Sequence, residues 1–247
     1  MTVDLHIPTG WKELTSVQLR YVVELASKEL SREEYLLVLF CSFAGIKMVA
    51  GTADDEGKKV VKTRFKTADG TLFDLEDWQV SDFCSRLSFL SEEQMPIDMA
   101  WPFKWDPYLM DTTFGDWFHA DALMMGYSLY GNLDQLKGAM KDLGDPHEDL
   151  QATDPDVVLL QKWYECFKDW LHERYPYVFR KADDPSGSDV ASSPIEARQN
   201  IMLMLNDGRP QDNEAIERSN VHDVFSALQH KIEEAKNIEE QMNKMKH

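Results

Sequence analysis

The chain has 247 residues and a mass of 28.6 kDa, which suits one large domain or two small ones. Hydrophobic residues make up 43% of the sequence and aromatic residues 11%, enough for a buried core, so general disorder is excluded. Lys and Arg number 26 against 44 Asp and Glu, which gives a formal net charge of -18. This charge disfavours contact with nucleic-acid phosphates or an anionic membrane and favours a basic partner.

Cysteine spacing and hydropathy indicate the compartment. Cys41, Cys84 and Cys166 lie far apart, so neither a disulfide framework nor a paired thiolate metal site is indicated. No run reaches the roughly 18 to 20 apolar residues of a membrane span, and the first residues lack the pattern of a signal peptide. We therefore predict a cytoplasmic protein without membrane contact.

Two helices are predicted near the start of the chain, each behind a capping box. Thr15 with Gln18, and Ser31 with Glu34, place a hydroxyl on a free backbone N–H while the later side chain reaches back. Apolar residues then recur at three- and four-residue steps, as on one face of a helix. Gly45 suits a left-handed stop after the second helix. The two helices should form a hairpin.

The pattern changes to alternation between about residues 46 and 75, which predicts a small antiparallel β-hairpin inserted in the helical body. Polar and apolar residues alternate over 61–67, Asp69 and Gly70 form a typical hairpin turn, and a second strand returns over 71–75. Residues 47–49 are compatible with a third short strand, across an acidic loop bounded by glycines.

Further helices follow a proline-rich crossing. Residues 95–111 hold three prolines and four large aromatic residues, so we expect an extended segment pinned to the core. Thr113 with Asp116 begins the next helix, and a short helix runs over about 133–144. A helix of about twenty residues should start at Asp154 and Pro155, a cap followed by a first-turn proline.

The last third of the chain is predicted to be separate from the body. Residues 181–193 are poor in large apolar groups, which predicts a linker between a helical body, 1–180, and a C-terminal helical arm, 194–247. In the last helix, apolar residues step by three and four in a narrow stripe close to a coiled-coil seam: Val221, Phe225, Leu228, Ile232, Ala235, Ile238, Met242 and Met245. The predicted fold is mainly α, a helical body with a small antiparallel β-hairpin insertion and an extended C-terminal amphipathic helix.

Motifs for catalysis or metal binding are weak. Residues 51–59 resemble a phosphate-binding loop, but five residues separate the glycines, no Ser or Thr follows the lysine, and three carboxylates would repel phosphate. His172 and Glu173 lack the second histidine of a zinc protease helix. Cys41 and Cys166 lie in apolar and aromatic runs, which raise the pKa of a thiol. We predict no enzyme activity, no metal and no cofactor.

Two charged segments remain. Five cations concentrate on one predicted strand: Lys58, Lys59, Lys62, Arg64 and Lys66. They suit a solvated edge that discourages strand pairing, or else a contact for an acidic partner, a nucleic acid or the chain's own acidic loop. Conversely, residues 144–156 carry carboxylates without cations, among them Asp145, Glu148 and Asp149. This segment is either a solvated loop with helix-capping carboxylates or a landing site for a basic partner.

Parts of the sequence resemble uncharacterised proteins encoded in the structural-gene clusters of phages and prophages. The similarity lies in the opening Ile7-Pro8 to Trp11 and Glu13-Leu14-Thr15, in 113–121, and in 170–179. It covers about residues 7–179, and its motifs are helix caps and aromatic anchors without catalytic residues. The resemblance implies a tail-assembly chaperone or a similar accessory of tail morphogenesis.

The leading hypothesis is therefore a non-enzymatic binding protein that holds a helical or basic protein partner, with an acidic rim that speeds encounter. We expect the contact surface on the C-terminal stripe and the acidic segment: Phe225, Leu228, Ile232, Ile238, Asp145, Glu148 and Asp149. The same stripe is also compatible with packing on the body or with a homo-oligomer. The alternatives are an acidic DNA mimic that inhibits a DNA-binding protein, and a small-molecule enzyme with residues 101–108 as a lid. Direct nucleic-acid binding is not expected.

Overall fold

The structure, a computed structural model, describes residues 5–53, 60–179 and 194–245. It is mainly helical, with one three-stranded antiparallel sheet and a long C-terminal helix, which confirms the predicted fold class. The chain divides into two compact units, Met1–Pro102 and Phe103–His247. The division falls inside the proline-rich crossing. The predicted linker at 181–193 lies outside the described residues.

The first unit begins with the predicted helical hairpin, α1 (Ser16–Ala26) and α2 (Arg32–Phe43). Both capping boxes are present, with Thr15 and Ser31 as caps, because each hydroxyl satisfies an N–H that has no partner within its helix. Gly45 has a φ of 64°, the left-handed conformation expected after α2. The predicted starts and the predicted stop are confirmed.

A meander of three strands follows, β1 (Ile46–Ala53), β2 (Val60–Thr67) and β3 (Leu72–Glu76), in the order β1-β2-β3. The first strand is eight residues long and extends well beyond the predicted 47–49. Asp69 closes the turn between β2 and β3, since its carboxylate accepts a hydrogen bond from the Thr71 N–H at 3.1 Å. The predicted hairpin is thus confirmed as the second half of a larger sheet.

The basic strand β2 lies in the centre of the sheet, so its interpretation as a solvated edge is wrong. Lys62 and Arg64 face the carboxylates of Glu76 and Asp74 on β3, at 3.0 and 2.7 Å. The hydrogen bond from Arg64, with its nearby charge, lowers the pKa of Asp74 despite partial desolvation. Lys62 and Arg64 therefore form cross-strand ion pairs within the sheet. Lys58 and Lys59 lie outside the described residues.

The remaining helices of the first unit are α3 (Asp77–Ser85) and α4 (Phe89–Glu92). They complete a core in which Phe40 is fully buried and lies between the rings of Phe65 and Phe83, at centroid distances of 5.8 and 5.2 Å. Trp11 is buried edge-on against Phe89 at 5.4 Å. Aromatic packing joins the helices to the buried face of the sheet.

The second unit contains α5 (Phe114–Tyr130), α6 (Leu133–Asp142) and α7 (Pro155–Arg174). Thr113 caps α5, and α7 starts at Pro155 and spans twenty residues, as predicted. The turn after α6 contains Gly144 with a φ of 88°. Helices α5 and α6 approach closely at Gly138, where a β-carbon would lie 2.9 Å from a methyl group of Leu123. The close approach favours glycine there, because a β-carbon would displace the Leu123 methyl group.

The helices of the predicted arm are α8 (Pro194–Leu205), α9 (Asn213–Arg218) and α10 (Val221–Met245). They belong to the second unit, in contrast to the predicted division between body and arm. The backbone N–H of Val221 donates to the Thr112 carbonyl at 3.0 Å, and the N–H of Phe114 donates to Ser219 at 2.8 Å. These hydrogen bonds join the start of α10 to the start of α5.

Candidate protein-binding surface

The first half of α10 is part of the core. Val221, Val224, Phe225 and Leu228 are buried. The Phe225 ring lies edge-on to Trp117 at 4.7 Å and to Phe179 at 4.9 Å. The prediction that Phe225 and Leu228 contact a partner is therefore wrong for this structure, because both side chains are buried and Phe225 is covered by rings of α5 and of the segment after α7.

The second half of α10 leaves the body. Ile232 is half-buried, whereas Ile238 is 58% exposed, Met242 49% and Met245 79%. The Lys236 ammonium lies 4.4 Å from the centre of the Tyr177 ring. This contact lies between the buried first half of α10 and its exposed second half. Of the predicted stripe, only its distal part is accessible. We call Ala235, Ile238, Met242 and Met245 the distal stripe.

Carboxylates flank the distal stripe on both sides. Glu234 lies one turn before Ile238, and Glu239 lies between Ala235 and Met242 on the helix surface. Glu234 also lies 3.3 Å from the His230 ring. Lys236 and Lys244 follow the opposite side of the helix, next to Glu240. The helix therefore presents an apolar line with acidic borders.

The base of the exposed segment is firmly attached. Lys231 donates a hydrogen bond to the Met204 carbonyl at the end of α8 and pairs with Asp207. The hydrogen bond and charge of Lys231 lower the pKa of Asp207. Nearer the start of α10, Nε2 of His222 donates to the Tyr108 carbonyl at 2.7 Å, and Nδ1 forms a hydrogen bond with the Tyr175 hydroxyl at 3.0 Å. These contacts fix the direction in which α10 projects.

Helix α8 adds exposed apolar residues that the sequence analysis did not select. Leu203 and Met204 are exposed near the base of the projecting segment. Between α8 and α9 there is a half-open cleft of about 370 Å³, with lining residues that include Met202, Leu203 and Pro210. The apolar run from Ile201 to Leu205 in the sequence indicates an apolar surface at this place. Its helical period alone does not show which of its residues are buried and which are exposed.

Asp145 is buried and has partners within the unit. Its carboxylate accepts hydrogen bonds from the Lys104 ammonium at 2.6 Å and from the Lys104 N–H at 3.2 Å, and the His147 ring lies 3.3 Å away. Burial by itself raises the pKa of Asp145, but Lys104 and His147 outweigh this effect and lower it. The predicted contact of Asp145 with a partner is wrong. Glu148 and Asp149 are exposed, as a landing site requires.

Two cysteine side chains and one carboxylate that are chemically suited to catalysis or metal binding are buried, half-buried or paired within the fold. Burial raises the pKa of both Cys41 and Cys166 to about 11, which keeps the thiols protonated at neutral pH. Asp121 accepts hydrogen bonds from Tyr164 at 2.8 Å and from Lys168 at 3.0 Å. Within the described residues, no group of three or more His, Cys, Asp and Glu side chains is arranged to hold a metal ion.

Comparison with known proteins gives no relative. No family model matches the chain, and no curated protein or solved structure matches it. Across the described ranges, no helix combines the length and the apolar character that crossing a membrane requires.

Proposed function

We propose that this protein is a non-enzymatic binding protein that holds an amphipathic, basic helical segment of another protein. In its specific form, the proposal is an accessory or chaperone of phage tail assembly acting in the cytoplasm. That specific form is supported by the resemblance of residues 7–179, and the general form by the geometry of α10. The observation that carries the proposal is the exposed distal stripe on a helix whose base is anchored in a core.

The composition of the distal stripe suits a helix-in-groove type of contact. Exposed Ile and Met side chains at three- and four-residue spacing provide a continuous apolar line, and methionine adapts to partners of different shape. Leu203 and Met204 at the end of α8 extend the exposed apolar area at its base. A partner helix that covers these residues would remove apolar surface from water.

The acidic borders define the chemistry of the partner. Glu234 and Glu239 favour Lys or Arg residues beside the partner's own apolar stripe. Pairing of two α10 helices in parallel would place these carboxylates against each other, which disfavours the homo-oligomer through this helix. The net charge of -18 adds long-range attraction for a basic segment and repulsion of acidic competitors.

The proposed mechanism is binding by mass action. A partner that buries its apolar face on α10 has less exposed apolar surface with which to aggregate, and it is released when a stronger binding site becomes accessible. The DNA-mimic alternative requires a ridge of unpaired carboxylates. The ion pairs of Asp74, Glu76 and Asp121 with neighbouring cations do not favour it.

The test uses two synthetic helical peptides with the same apolar stripe, one flanked by Lys and one by Glu. We expect the Lys-flanked peptide to bind the full-length chain and the Glu-flanked peptide to bind at least roughly tenfold more weakly by fluorescence anisotropy. Substitution of Ile238→Asp with Met242→Asp should abolish binding because it charges the apolar line.

The matched control is Leu129→Asp, which charges an exposed leucine on α5 in the same unit. This variant should bind the Lys-flanked peptide like the wild type. Equal binding of both peptides, or equal loss in the α10 and Leu129 variants, would contradict the proposal.

A further inference from the structure

Strand β1 is an edge of the sheet, and no described strand covers its outer side. Every residue from Lys47 to Thr52 is exposed, including Met48 at 56% and Val49 at 55%. The N–H and C=O groups that such an edge turns away from its sheet are a template for the addition of another strand. One of these groups, the Met48 N–H, lies against the Cys41 thiol.

The common protections of an edge strand are sparse in β1. Over its eight residues it contains no proline and one charged side chain, Lys47. The other edge, β3, is five residues long and contains Asp74 and Glu76. The feature that restricts pairing at β1 is a bulge. Met48 lies opposite Phe65 and Ala50 lies opposite Arg64, so Val49 is an extra residue relative to β2.

Because of the bulge, the side chains of β1 point to the two faces of the sheet in an order that is the same from either end of the strand. Lys47 and Thr52 lie opposite Lys66 and Lys62, both on the exposed face of the sheet. Met48 and Gly51 lie opposite Phe65 and Thr63, both on the buried face. Without an extra residue, positions 47 and 52 would point to opposite faces, because side chains alternate along a strand. Lys47 therefore lies on the exposed face and Met48 on the buried face. After the bulge at Val49 and Ala50 the order is reversed, with Gly51 on the buried face and Thr52 on the exposed face.

We propose that β1 pairs with β1 of a second copy of this chain, antiparallel and around a two-fold axis between Val49 and Ala50. In this register Lys47 lies opposite Thr52 of the second copy, and Met48 lies opposite Gly51 of the second copy. Residues that face each other then point to the same face of the sheet, as strand pairing requires. The two sheets join into one of six strands.

The second copy fits this edge better than a regular extended peptide does. A regular strand has no extra residue, so it loses the match of faces beyond the bulge of β1. A second β1 carries the same extra residue at the same place. Val49 of each copy therefore lies opposite Ala50 of the other copy. The backbone positions of the two Lys47 residues lie roughly 17 Å apart, at about 3.4 Å per residue, and Gly51 leaves space for the Met48 side chain. This contact lies in the first unit and does not involve α10.

Sedimentation of the full-length chain over a range of concentrations tests the proposal. We expect a monomer–dimer equilibrium, and we expect Val49→Lys to raise the dimer dissociation constant at least roughly tenfold, because it places two cations close to the two-fold axis. The matched control is Leu72→Lys on β3, which is 56% exposed. It should leave the dimer unchanged, and circular dichroism should show that both variants stay folded.

The register is tested by oxidative cross-linking. The double variant Lys47→Cys with Thr52→Cys should form disulfide-linked dimers, while each single variant, which contains the same native cysteines, should not. Mass spectrometry should identify a 47–52 link between chains. A wild type that stays monomeric, a dimer that is insensitive to Val49→Lys or lost in Leu72→Lys, or cross-linking of the single variants would each overturn the proposal. So would binding of a regular extended peptide in place of the second copy.

Discussion

Single side chains of the second unit show how burial determines the role of a charge. The Lys168 ammonium pairs with Asp121 and lies 5.5 Å from the centroids of the Tyr164 and Phe179 rings. Burial, followed by the charge and hydrogen bond of Asp121, raises the pKa of Tyr164 far above its ordinary value. A neutral phenol, a carboxylate and an ammonium group thus satisfy each other, and the arrangement stabilises the contact between α5 and α7.

Asp145 gives a prediction at the residue scale. Asp145→Asn should lower the free energy of unfolding at pH 7 by about 1–3 kcal/mol, because the variant loses charge-assisted hydrogen bonds to Lys104 in a buried position. Urea unfolding followed by tryptophan fluorescence measures the change. The control is Glu148→Gln, an exposed position three residues further on, which should change stability by less than about 0.5 kcal/mol.

The same pair predicts a pH dependence. The pKa of Asp145 is lower in the folded chain than in the unfolded chain. The ionised carboxylate therefore stabilises the fold above the unfolded pKa, and this stabilisation is lost as the pH falls through the folded pKa. The stability difference between wild type and Asp145→Asn should shrink below about pH 4. A difference that stays constant down to acid unfolding would contradict this assignment.

At the scale of elements, α10 combines two functions in one amphipathic helix. Its first two turns complete the core around Phe225, and its distal turns carry exposed Ile and Met residues. The residues of the stripe have one period throughout. Which part of the stripe is buried depends on how far α5, α8 and the segment after α7 extend along α10. The contact of Lys236 with Tyr177 lies at the end of the buried part.

Two alanine substitutions in the same helix test this division. Phe225→Ala should destabilise the protein by about 3–5 kcal/mol, because it opens a cavity among Trp117, Tyr175 and Phe179. Ile238→Ala should change stability by less than about 0.5 kcal/mol, since its side chain is largely in water. Thermal unfolding measures both changes. Similar losses in the two variants would mean that the distal stripe is also packed.

At the scale of the whole molecule, the chain forms two compact units that meet in sequence at Pro102 and Phe103. The last helix belongs to the second unit although it lies more than a hundred residues after α5 begins. The second unit therefore needs residues from both ends of its sequence to bury its core.

Truncation tests that dependence. A chain that ends after Lys236 should keep the unfolding midpoint of the full chain within a few degrees, because residues 237–245 are exposed. A chain that ends after Asn220 should lose cooperative unfolding of the second unit, since it lacks four buried side chains: Val221, Val224, Phe225 and Leu228. Scanning calorimetry distinguishes the two. Cooperative unfolding without α10 would show that this helix is a separate arm.

Local chemistry in the sequence determined the positions of most helices and turns. The capping boxes at Thr15 and Ser31, Pro155 and the left-handed glycines act through neighbours within a few residues, so the sequence alone was sufficient to place them. The tertiary structure decided the roles of the charged strand, of Asp145 and of the C-terminal stripe. Asp145 pairs with Lys104 and Phe225 packs on Trp117, and both of these partners are distant in sequence. The partner of Arg64, Asp74 on β3, is near in sequence but depends on which strand lies beside β2. Periodicity shows that a face is apolar, but the partner that covers it is set by packing between elements, because hydrophobic burial has no directional preference.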